Sequence, residues 1–122
     1  SSDLGPQRAY EQLRAVAGDA EEQADIELSI DLIENAAAIW AGLGQPERAA
    51  MLLGAADAQR EQAGIPRAVQ NQQYLDPFIE PARAGLGTQR WDKAIERGRA
   101  MELHDAFAEA VAQAPVPSAV HR

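Results

Sequence analysis

The chain has 122 residues and a mass of 13.1 kDa, enough for one domain and too few for two independent ones. Its formal net charge of −8 opposes broad binding to a phosphate backbone, and the absence of cysteine excludes disulfides, thiolate metal sites and cysteine nucleophiles. Alanine supplies 26 residues, leaving only 30 large apolar or aromatic side chains, a composition suited to close helix–helix contact and poor in the β-branched runs of sheets.

In chain order, Pro6 suits a first helical turn, and Tyr10, Leu13 and Ala17 recur at helical spacing. Gly18 reads as a stop, with Asp19 capping the next helix. From Asp19 to Glu34 the chain holds seven carboxylates and no basic residue, which reads as a solvated face able to attract a basic partner. The same helix carries two apolar rows, Ile26-Ile30-Ile33-Ala37-Trp40 and Leu28-Leu32-Ala36-Ile39-Leu43. Two rows imply neighbours on both sides, or a dimer that covers one of them.

Gly42-Leu43-Gly44 ends that helix, and Gln45-Pro46 opens another over about Pro46 to Ala63, with Ala49, Leu53, Ala56 and Ala63 on one stripe. Gly54 in its middle costs roughly 1 kcal/mol relative to alanine, which predicts a neighbouring helix pressing close. Gly64-Ile65-Pro66 is a break. The next segment, about Val69 to Leu86, holds Tyr74, Phe78, Ala82 and Leu86 at helical spacing. Pro77 and Pro81 interrupt it and predict a kink or two short helices, with Asp76 capping the second. After Gly85-Leu86-Gly87, Thr88 is the expected cap of a helix burying Trp91, Ile95 and Gly98, with Arg90, Lys93 and Arg97 on the opposite side. A last helix, about Leu103 to Gln113, turns Leu103, Phe107 and Val111 inward.

The fold expected is all-α, five or six helices in antiparallel hairpins, with residues 1–114 as one domain and 115–122 as a proline-rich flexible tail. The stretch Ile33-x-x-Ala36-Ala37-x-x-Trp40, Gly44-Gln45-Pro46-Glu47-Arg48-Ala49 and Leu53-x-x-Ala56 looks like one tetratricopeptide unit. Ala37, Ala49 and Ala56 would fill its small sites and Trp40 its large one. A wider run carries a second likeness. Gly44 to Ala56 with Arg60 and Gly64-Ile65-Pro66, continued by Leu86-Gly87-x-x-x-Trp91-x-x-x-Ile95-x-x-Gly98-Arg99-Ala100-Met101, resembles the C-terminal tetratricopeptide-like region of large multidomain bacterial regulators. Those proteins join a signal-transduction ATPase module to a LuxR-type, antibiotic-regulator or cyclase output. The resemblance spans about Asp31 to Ala112 and implies a regulatory part rather than a reaction.

Convergent chemistry is scarce along the chain. The only histidines, His104 and His121, read as surface residues, and no serine sits in a nucleophile elbow. Glycines occur singly at helix ends rather than in a phosphate-cradling loop, and no histidine accompanies the paired carboxylates. No catalytic, cofactor or metal residue is therefore assigned. Tyr74, Phe78 and Trp91 are the candidates for a ligand or partner groove, with a core role as the alternative. Arg90, Lys93 and Arg97 form a candidate partner-contact face, with exposed ion pairs as the alternative; Glu96, Asp92 and the acidic background oppose nucleic acid there.

These readings converge on a non-enzymatic protein–protein interaction and sensing module of a bacterial transcriptional or signalling regulator, with small-molecule effector binding as the alternative. The partners expected are other domains of such a regulator, a separate protein or a second copy, with no nucleic acid and no membrane. No apolar run approaches a membrane span and no signal-peptide pattern opens the chain, so the cytoplasm is the expected compartment.

Overall fold

The computed structural model describes residues 4–112, with side chains from Glu22 onward. The proline-rich segment and the packing of Tyr10, Leu13 and Ala17 lie outside the described residues. Among the described residues there are five helices and no strand: α1 Leu4–Gly42, α2 Pro46–Ala63, α3 Val69–Leu86, α4 Thr88–Arg99 and α5 Leu103–Ala110. None is long and apolar enough to cross a membrane.

The 39-residue α1 runs straight through Gly18, where a stop was expected. A lone glycine costs a helix about 1 kcal/mol but does not end it when good helix formers such as Ala17, Ala20, Glu21 and Glu22 surround it and no proline follows. True ends occur where glycine reverses the chain. At Gly44 (φ 79°) the Gly44 and Gln45 amides bond to the carbonyls of Ala41 and Trp40. At Gly64 (φ 70°) the Gly64 and Ile65 amides bond to those of Glu61 and Arg60. Both are Schellman closures, which need a residue tolerant of left-handed backbone.

Helix α2 is the centre of the molecule and packs on every other helix, most extensively on α4 and α1. Its close approach to α4 explains the mid-helix glycine. A Cβ on Gly54 would overlap the Ile95 carbonyl, and one on Gly98 the Met51 carbonyl, so the two backbones touch directly. Helices α3 and α4 share little surface although they are consecutive. The core gathers Ile30, Ile33, Ala37 and Trp40 of α1, six small or aliphatic residues of α2, Leu75 and Ile79 of α3, Trp91 and Ala94 of α4, and Ala106 of α5.

Three local expectations are corrected by this packing. Segment Val69–Leu86 forms one helix rather than two despite Pro77 and Pro81, and Asp76 accepts a bond from Gln72 Nε2 at 2.7 Å instead of capping a second piece. Its buried residues are Leu75 and Ile79, one position beyond Tyr74 and Phe78, the face that meets α1 and α2, while the prolines are exposed. Gly87, not Thr88, holds the cap position of α4, and α5 ends at Ala110 with Val111 exposed and Ala106 buried.

Candidate functional site

The outer side of α1 is the first unusual feature. Its inner row, Ile30, Ile33, Ala37 and Trp40, is buried, while Leu28 (58% exposed), Leu32 (42%), Ile39 (59%) and Leu43 (54%) point to solvent. Only Ala36 of the outer row is covered. Within the single chain the double row therefore supplies one packed layer, and the outer row is left uncovered. At 100° per residue those four side chains fall within about 60° of one another, forming a continuous apolar strip on the side away from the core. Exposed leucines scattered singly are ordinary on a protein surface; these four are aligned.

A buried charge network is the second feature, and sequence reasoning missed it. Glu34 was expected on a wet face with the rest of the acidic run, yet it is 2% exposed. Its carboxylate accepts from Arg60 Nε at 2.6 Å, Arg60 Nη2 at 2.9 Å and Arg67 Nε at 2.8 Å. Arg60 Nη2 also reaches Asp31 at 2.9 Å, and Arg67 pairs with Asp57 and donates to Gln72. Arg60 Nη1 donates to the Ile65 carbonyl at 3.2 Å, fixing the turn between α2 and α3. Among the described residues no buried side-chain polar atom lacks a partner. Hydrogen bonding to Glu34 raises the Arg60 pKa above its ordinary value against the opposing effect of burial. Burial would lower that of Arg67, but Asp57 and Glu34 together raise it. The signal was present in the spacing: Glu34 lies four residues after Ile30 and three before Ala37, which puts it on the core-facing side.

Open clefts lie between α1 and α3. One, of about 430 Å³, is lined by Asp31, Glu34, Asn35, Asn71, Tyr74 and Leu75, a mixture of hydrogen-bonding groups and one aromatic face. Another, of about 440 Å³, is apolar and lies between Ala41, Pro46, Pro77, Phe78, Pro81 and Ala82. The expected groove residues are thus divided. Tyr74 and Phe78 are neighbours on the outer side of α3, with ring centroids 5.7 Å apart, and each lines a different cleft. Trp91 lines neither cleft and is buried in the core against α2. Trp40 is also core, with the Arg48 guanidinium 4.3 Å above its ring and Arg48 paired in turn with Glu109 of α5.

Arg90, Lys93 and Arg97 are all exposed on one side of α4. Arg90 and Arg97 approach Glu47 of α2 at 3.5 and 3.7 Å, so two of the three charges are partly answered within the chain. Among the described residues no group of three His, Asp or Glu side chains is placed to hold a metal ion. No protein-family model, curated protein or solved structure matches the chain.

Proposed function

We propose that the chain is a protein–protein interaction and sensing module of a bacterial transcriptional or signalling regulator, built as a tetratricopeptide-like hairpin repeat, non-catalytic and acting in the cytoplasm. The observation that carries this reading is the solvent-facing strip of Leu28, Leu32, Ile39 and Leu43 on the longest helix. Water-exposed apolar strips are costly unless a partner covers them, and a rigid inner layer holds this one in shape. The short small-residue contact between α2 and α4 supports the same reading, because it leaves few side chains for chemistry.

The test compares the wild-type domain with Leu32→Glu/Ile39→Glu, both changes on exposed positions that leave folding stability within about 0.5 kcal/mol. The proposal expects association, with itself or a partner protein, that the double variant loses while its melting curve stays unchanged. Association equal in both proteins, or none in either, would overturn it.

A second reading, a small-molecule effector site, is favoured by one observation: the 430 Å³ cleft sets the Tyr74 ring beside Asn35, Asn71 and the half-exposed Asp31. That lining suits a compact amine or amide-bearing ligand. A thermal-shift screen with such compounds, repeated on Tyr74→Ala, tests it; a shift that Tyr74→Ala abolishes supports the reading, and no shift removes it.

A further inference from the structure

We infer that the occupant of the α1 strip is a second copy of this chain, paired antiparallel about a two-fold axis through the Asn35–Ala36 peptide bond; this rests on the interaction reading above and specifies its partner. The strip is its own mirror image in sequence. Leu28 and Leu43 lie equally far on either side of that bond, and so do Leu32 and Ile39. A two-fold axis there sets Leu28 of one copy against Leu43 of the other and Leu32 against Ile39, twice over, which is the self-complementarity an isologous interface requires. The paired length is about 22 Å at 1.5 Å per residue.

Charge selects the same orientation. Seven of the eight carboxylates of α1 lie between Asp19 and Glu34, whereas Asn35 to Gln45 contains no charged residue. Antiparallel pairing lays Glu27, Asp31 and Glu34 of each copy beside the uncharged stretch from Ala37 to Gly44 of the other. Parallel pairing would stack the two acidic halves within a Debye length, about 8 Å at physiological salt. The inner row cannot compete for the contact, since Ile30, Ile33 and Trp40 are already covered by the chain's own helices. A single helix seam buries less than the roughly 800 Å² per partner of a standard interface, so pairing follows concentration.

The experiment uses the full chain. Sedimentation equilibrium over a range of concentrations is expected to move from the 13.1 kDa monomer toward twice that mass, and Leu32→Glu to weaken pairing roughly tenfold or more. Orientation is read with introduced thiols, which are unique because the chain has no cysteine. Under mild oxidation, Leu28→Cys mixed with Leu43→Cys is expected to form the mixed disulfide, while Leu28→Cys alone is not, because disulfides need Cα atoms within about 7 Å. A monomer at every concentration, a dimer indifferent to Leu32→Glu, or self-linking of Leu28→Cys as fast as the mixed pair would each overturn the inference. Capture of a different protein that Leu32→Glu/Ile39→Glu abolishes, by a chain that stays monomeric, would leave the interaction reading standing and remove this one.

Discussion

Glu34 shows how one side chain organises its surroundings. Its carboxylate is buried and accepts three bonds from two guanidinium groups, so neutralising it leaves Arg60 with Asp31 alone and Arg67 with Asp57 alone as charge partners. Glu34→Gln is expected to cost about 1–3 kcal/mol, below the full cost of an unanswered buried charge because Asp31 and Asp57 still face the two cations, read as a lower urea midpoint. The exposed pair of Glu61 with Arg99, at 2.7 and 3.0 Å, behaves differently. Hydrogen bonding to Arg99 holds the Glu61 carboxyl below its ordinary pKa. A carboxyl lowered on folding contributes stability above its unfolded pKa and loses it as pH falls through the folded value. Glu61→Gln is therefore expected to flatten slightly the acid limb of a stability–pH curve, an effect that high salt also removes. The burial of Glu34 was legible from its place between Ile30 and Ala37, but its partners were not. Arg60 and Arg67 lie 26 and 33 residues away, and nothing local to either names the carboxylate it will meet.

Among the elements, α2 and α4 meet backbone to backbone, and that contact can be tested by adding single methyl groups. Gly54→Ala gains helix propensity but drives a Cβ into the Ile95 carbonyl; a net loss of about 1–3 kcal/mol is expected from overpacking. Gly85→Ala, in α3 with open space around it, is expected to gain about 0.5–1 kcal/mol instead. Chemical denaturation of the two variants side by side checks the opposite signs. The tight fit at Gly54 was readable in advance, because a mid-helix glycine is otherwise a plain loss. The ends at Gly44 and Gly64 were readable for the same reason, each glycine being followed closely by proline. Gly18 misled because the rule was applied where neither a proline nor a chain reversal follows. The face of α3 was misplaced by one position: spacing of four fits Tyr74-Phe78-Ala82 and Leu75-Ile79 equally well, and only contact with α1 and α2 decides between them.

For the whole molecule, composition fixed the class, since alanine-rich, cysteine-free chains have helices as their efficient way to build a core. Arrangement was harder to read. Antiparallel hairpins imply contact between consecutive helices, yet α2 packs most on α4, and no periodicity encodes which non-consecutive helices will meet. Stability is distributed accordingly. Helix α2 is enclosed by all its neighbours, whereas α5 has eight residues, of which only Ala106 is buried. Hydrogen exchange is expected to be slowest in α2 and fastest in α5, and equal protection in both would contradict this ranking. The aromatic groove expected from Tyr74, Phe78 and Trp91 dissolves at this scale, because Trp91 is needed inside.

The two guanidinium groups that share Glu34 sit on either side of the bend at Gly64, one on α2 and one just past the bend. That shared anchor acts as a latch. Swinging α3 outward would pull Arg67 away from a carboxylate that water cannot readily reach, an all-or-none step rather than a gradual flex. Helices α1, α2 and α3 are thereby tied together at Glu34, on the other side of α1 from its outer skin, so a molecule seated on that skin would leave the latch untouched.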